Sequence, residues 1–235
     1  MNAARWKQAR WTPFDPVTAR FLISERSFVG LAVGSADPLQ FAAASAILIC
    51  TGATAEEVCA IGLDDLRQAN GIRTIRFPDR RGIVLQDVTR EIPLLAPACD
   101  ALDAHLARFT GPREASCNLW SGIPGTGPAA DDLAQAMFQA LRANRDLPVD
   151  IRKTRDLMAA AARTFQSALY SARVEDDLLA YLTSRGSANR MSSRDRQRRH
   201  RDPANILRIL NRHHVLGARY ASGSARQGDA AAPRR

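Results

Sequence analysis

The stretch from Phe41 to Leu94 constrains the fold of this chain more than any other. FAAASAILIC runs into TGATAEEVCAIG, and Phe41, Ala44, Ile47, Leu48, Val58 and Ile61 recur at helical spacing across the break. Thr51-Gly52 punctuates the two runs. Thr54 followed three residues later by Glu57 is the signature of a capping box that opens a second helix. Behind it IRTIRF and IVLQDV alternate around PDRRG, which predicts strands joined by a basic turn. A third run, REIPL, can return as an edge strand, where Pro93 is tolerated. The expectation is a helix-turn-helix followed by a small antiparallel sheet over residues 72–94.

Charge is the second constraint. Residues 185–235 hold 13 Arg against 3 Asp, a net +10, while the preceding 184 residues hold 20 Arg or Lys against 21 acids, a net −1. A near-neutral body with a strongly positive end predicts contact with a polyanion, nucleic acid first, or else a solvated tail that confers solubility. Arginine supplies the cations almost alone, since Lys7 and Lys153 are the only lysines. Its planar fork suits phosphate, although composition bias gives the same preference. Cys50, Cys59, Cys99 and Cys117 show no CxxC pairing, and His105, His200, His213 and His214 form no ligand set. No apolar run is long enough to span a membrane, and the first ten residues lack the core of a signal peptide. These features predict a reduced, cytoplasmic, nucleoid-associated protein with no metal, no cofactor and no membrane partner.

Residues 1–37 carry Trp6, Trp11, Phe14, Phe21, Leu22, Ile23 and Phe28, too many large apolar groups for a disordered leader. They read as an arm or helix packed on the main domain, or in part as an interface. ACDALDAHLARF is a short amphipathic helix that stops at Thr110-Gly111-Pro112. The glycines of GIPGTGP lack the lysine and flanking strand of a phosphate loop, and Leu119 and Trp120 are expected to anchor that loop. AADDLAQAMFQALRAN gives one apolar face.

VDIRKTRDLMAAAARTFQSALY reads as one long helix from 149 to 170, with Arg152, Lys153 and Arg155 in its first turn, where cations oppose the dipole. VEDDLLAYL is a shorter helix. Residues 186–202 form a basic linker. Asp202-Pro203 then opens an amphipathic helix over 203–217, which docks on its own body or on a neighbouring subunit. Residues 218–235 read as a disordered tail.

This order of elements over residues 38–185 resembles the catalytic domain of tyrosine recombinases, the phage integrase family. The resemblance implies a mainly α fold with a small antiparallel β-sheet. The family's TGxRxxE segment matches TGATAEEV, which puts Glu57 in the acidic position and Thr54 where the first catalytic arginine would stand. The hairpin lysine falls in PDRRG, with Arg80 or Arg81 nearest. The HxxR motif matches VDIR, with Val149 for the histidine and Arg152 for the arginine. If the alignment holds, Thr54 and Arg152 lie close in space.

Strand exchange needs a tyrosine nucleophile, arginines on the phosphoryl oxygens, and groups that move protons. LLAYLTSRGS has no histidine where the family has LGH, and RMSSRDRQRRH has no tyrosine. Tyr170 and Tyr181 suit core or rim packing, which leaves Tyr220 as the sole candidate nucleophile. The resemblance therefore implies a non-catalytic double-stranded DNA-binding protein, an accessory or regulatory factor in recombination or mobile-element transfer. An active recombinase partner, or self-association through the C-terminal helix, would fit that role. The candidate phosphate contacts are Arg80, Arg81, Arg152, Lys153, Arg155, Arg190, Arg194, Arg196, Arg198, Arg199 and Arg201. The alternatives are a divergent active recombinase using Arg152 and Tyr220, and a helical interaction protein whose basic tail binds an acidic partner or RNA.

Overall fold

A computed structural model describes residues 12–31, 33, 37–77, 90–108, 118–120, 129–147, 156–183 and 202–218. The fold is mainly α-helical with one small antiparallel sheet of three strands in the order β1-β2-β3. The helices are α1 (Pro16–Leu22), α2 (Pro38–Thr51), α3 (Ala55–Cys59), α4 (Ala96–Leu106), α5 (Ala130–Ala143), α6 (Leu157–Ser171), α7 (Asp176–Thr183) and α8 (Pro203–His213). The strands are β1 (Leu66–Ala69), β2 (Ile72–Phe77) and β3 (Arg90–Pro93).

Helix α2 is the hub. Every residue from Gln40 to Thr51 is buried, so the apolar face expected from Phe41, Ala44, Ile47 and Leu48 widens to the whole circumference. The small side chains of FAAASA allow this, because neighbours can approach from every side. Helices α1, α3, α4, α5 and α6 all pack on α2. Asp37 caps its start, accepting from the Gln40 N–H at 3.1 Å, with Pro38 in the first turn. The same Asp-Pro opening recurs at Asp15-Pro16 and Asp202-Pro203.

Helix α2 ends on Gly52, which sits in the left-handed region at φ 62° and donates its N–H to the Leu48 carbonyl. A Cβ at that position would lie 2.8 Å from Phe165 Cδ1, so glycine is required by both conformation and space.

Two expectations are corrected. The described sheet begins at Leu66 rather than residue 72, because Leu66–Ala69 pairs with Ile72–Ile75 through a tight turn at Asn70-Gly71. Both turn residues have positive φ, 52° and 75°, the combination that Asn-Gly supplies to a two-residue hairpin. Strand β3 pairs with β2 in the register Ile75↔Ile92, as the REIPL run required, while residues 83–88 of IVLQDV lie outside the described residues.

The second correction concerns the long helix predicted from 149. Helix α6 starts at Leu157, with Asp156 as its N-cap accepting from the Ala159 N–H at 2.9 Å. Arg152, Lys153 and Arg155 thus precede the cap and do not load the first turn of α6 against its dipole. An N-cap carboxylate is the favourable partner for that end.

The N-terminal segment is tied to α6 by the Phe14 N–H, which donates to Thr164 Oγ1 at 2.8 Å, and Phe14, Ala19, Leu22 and Phe28 join the core. At the other end α8 packs on α6, β3 and β2, burying Ile206 and Leu210. His214, immediately beyond it, is fully buried. Its Nε2 donates to the Ile49 carbonyl of α2 at 3.1 Å, and its Nδ1 accepts from the Leu216 N–H at 3.1 Å. This pair of bonds assigns the neutral tautomer, and burial pulls the imidazole down to about 4. The C-terminal helix therefore docks on its own body.

Candidate nucleic-acid interface

The site begins with local chemistry at the α2–α3 turn. Thr54 Oγ1 accepts from the Glu57 N–H at 3.2 Å, and Glu57 Oε2 accepts from the Thr54 N–H at 2.8 Å, closing the capping box. The same Oε2 accepts from Arg90 at 2.6 Å. Both side chains are close to fully buried, with 5% of Arg90 and 10% of Glu57 exposed. Arg90 also donates to the Leu182 carbonyl at 3.3 Å and lies 4.8 Å over the Phe77 ring. One guanidinium thus joins α3, the start of β3, the end of β2 and the end of α7.

Thr54, which the sequence resemblance sets against the family's first arginine, is an N-cap, with its hydroxyl and its backbone N–H both directed to Glu57. A threonine there can cap a helix, but it carries no charge to set against a phosphate. Among the described residues, His105, His214 and Tyr181 are also committed to structure. His105 is buried with Nε2 3.3 Å from the Leu119 carbonyl. Tyr181 uses its hydroxyl oxygen to accept the Glu91 N–H at 2.8 Å. That donor points away from β2, and the next outward nitrogen of β3 belongs to Pro93, which has no hydrogen. The outer edge of the strand so presents neither position as a free donor. Tyr170 is about half exposed on the last turn of α6.

Trp120 and Leu119 are buried as expected, and Trp120 Nε1 donates to the Val58 carbonyl at 2.7 Å, which fixes this stretch against α3. Cys50 and Cys59 are buried free thiols whose pKa burial raises, Cys59 to about 12, so neither is a ready nucleophile. Cys99 is half-buried, and its pKa is also raised, by burial first and against the opposing charge of Arg73. Among the described residues no group of three His, Cys, Asp or Glu is placed to hold a metal ion, and no helix is long and apolar enough to cross a membrane.

The eleven candidate phosphate contacts, Arg80, Arg81, Arg152, Lys153, Arg155, Arg190, Arg194, Arg196, Arg198, Arg199 and Arg201, lie outside the described residues, as do Val149 and Tyr220. The expected proximity of Thr54 to Arg152 lies outside them for the same reason. The sequence reading gave no site role to Arg90, Arg208 or Arg212. The last two are exposed on α8, four residues apart, and border a groove of about 430 Å³ against Ile72. The Arg90–Glu57 pairing has no local signal, because its partners are 33 residues apart. Arg208 and Arg212 could have been found as the polar side of an amphipathic helix that contains no acid.

No protein-family model matches the chain, and no curated protein matches it. Among solved structures, the chain is similar to the XerH site-specific recombinase bound to its difH substrate in a pre-cleavage complex. The TM-score is 0.56 at 17% identity, over 76% of this chain and 48% of that one. It is likewise similar to the XerH post-cleavage complex on palindromic difH, with TM-score 0.55 and 15% identity over 89% and 54% of the two chains. The chain thus spans about half the length of the recombinase chains it matches. At these identities the likeness is one of fold: a mainly α-helical architecture with a three-stranded antiparallel sheet, resembling the tyrosine-recombinase catalytic domain.

Proposed function

We infer that this chain binds duplex DNA on a recombinase-like fold without exchanging strands, and serves as an accessory or regulatory factor at a recombination site or in mobile-element transfer. The observation that carries the reading is Thr54. In the alignment that the resemblance implies, the family's arginine position falls on this residue, a helix cap engaged with Glu57, and Glu57 in turn is neutralised by the buried Arg90. A phosphodiester brought to α3 would meet no free cation from this turn. The net +10 beyond residue 184 supports polyanion binding, since phosphate contacts need charge and not an assembled catalytic centre. Arg80, Arg81, Arg152, Lys153, Arg155 and the arginines from Arg190 to Arg201 are the proposed contacts.

The test uses a nicked suicide duplex that traps a covalent intermediate. The native chain is expected to shift the duplex in a native gel and to leave no DNA on the protein after denaturation. An adduct that disappears in a Tyr220→Phe variant would establish an active recombinase instead. Failure to bind duplex at physiological salt would point to the helical interaction protein with an acidic or RNA partner.

A further inference from the structure

Most of the described arginines in and around the sheet are neutralised within the fold. Arg73 pairs with Asp103, Arg76 with Asp65, Arg90 with Glu57, and Arg108 with Asp37. Arg208 and Arg212 differ. Both are exposed, and neither forms an ion pair with a described residue. They stand four residues apart on α8, so their like charges project from adjacent turns and repel. Arg208 donates to Asn205 Oδ1 at 2.6 Å, a neutral partner that orients the guanidinium and leaves its charge in place. Helix α8 contains no acidic residue.

Both arginines border the same groove of about 430 Å³. Ile72 from the start of β2 lines it opposite Ala204, Leu207 and Asn211, and among the described residues no carboxylate does. We propose that this groove seats the sugar-phosphate backbone of duplex DNA, with Arg208 and Arg212 each holding a phosphate. Four helical residues rise about 6 Å, close to two axial steps along one strand, about 3.4 Å each. Asn211 supplies a neutral donor between the two cations, and the Ile72 and Leu207 side chains suit the apolar edge of deoxyribose. The chain reaches α8 directly from the arginine-rich residues 190–201, so the two sets of cations are contiguous in sequence. This assignment rests on the DNA-binding reading and extends it to residues of the folded body.

The experiment measures affinity for a fluorescent duplex against salt, using the full chain, an Arg208→Gln/Arg212→Gln variant, and an Arg26→Gln/Arg145→Gln control. The control removes the same charge from exposed positions on segments that do not border the groove. Loss of two phosphate contacts lowers the slope of log affinity against log salt by about two units, equally for unrelated sequences, while the control keeps the native slope. Matching thermal melts establish that both variants fold. A native slope in the α8 variant overturns the groove assignment and leaves the DNA reading standing. A native chain that fails to bind duplex overturns both. If the α8 variant instead loses self-association in sedimentation with its slope unchanged, the groove belongs to a second copy of the chain and the proposal is wrong.

Discussion

Glu57 and Arg90 are 33 residues apart in the chain, yet Arg90 donates to Glu57 Oε2 at 2.6 Å with both side chains almost wholly out of water. The pair links the cap of α3 to the first residue of the sheet's edge strand. Removing one member strands the other's charge in a low-dielectric setting, which typically costs about 3–5 kcal/mol. Glu57→Gln and Arg90→Gln should each lower stability by an amount of that order in urea unfolding, and the double variant by clearly less than their sum. Additive losses in that double-mutant cycle would show that the two charges do not depend on each other.

Gly52 gives a second, independent test of the same corner. Alanine there must adopt φ 62° and also place its Cβ within 2.8 Å of Phe165 Cδ1. Strain and overpacking each contribute about 1–3 kcal/mol, so Gly52→Ala should lower the unfolding free energy by more than 1 kcal/mol. Trimming the partner relieves only one of the two terms. Gly52→Ala combined with Phe165→Leu should therefore recover part of the loss beyond the cost of Phe165→Leu alone.

What the sequence revealed follows the range of the interactions involved. The Thr54–Glu57 box and the Asp202-Pro203 helix start were legible because their chemistry closes within three residues. REIP was legible as an edge strand because proline excludes the interior of a sheet. The Asn70-Gly71 turn was equally local and went unread, since Leu66–Ala69 is largely exposed and offers no apolar alternation. The α6 start was misplaced because the helical period runs through Asp156 without a break, and a cap is chosen by tertiary context as well as pattern. The Arg90–Glu57 pair and the burial of His214 against Ile49 were illegible, being created only when distant segments meet.

His214 makes stability depend on pH in a direction that can be worked out. Its folded-state pKa of about 4 lies below the ordinary histidine value of 6.5, because burial disfavours the charged ring. The unfolded chain therefore binds a proton more readily than the folded one between these values. Stability is full above about 6.5, falls as pH drops through that window, and levels off below about 4. The maximum loss from this group is about 3 kcal/mol. Unfolding free energies measured from pH 7 to pH 4 should show that decline. A His214→Gln variant should start lower and have a flatter profile, and an unchanged slope in the variant would assign the acid sensitivity to other groups.

The last prediction concerns the proposed DNA contacts beyond residue 184. Arg194, Arg196, Arg198 and Arg199 fall within six residues, with Asp195 the only acid among them. If each holds a phosphate, each contributes about 0.9 to the slope of log affinity against log salt. Replacing all four by glutamine should then reduce that slope by up to about 3.6 and weaken binding to unrelated duplexes alike. Those residues carry no sequence preference in this reading, because contacts to phosphate position the protein without reading bases. Replacing Thr54 by alanine provides the contrast: losing the cap costs roughly 1 kcal/mol of stability and should leave the salt slope untouched. Fluorescence anisotropy with two unrelated duplexes, each titrated from low to physiological salt, separates the cases. A quadruple variant with the native slope would remove the electrostatic basis of the reading. A variant that weakened on one duplex alone would recast these arginines as base-reading residues.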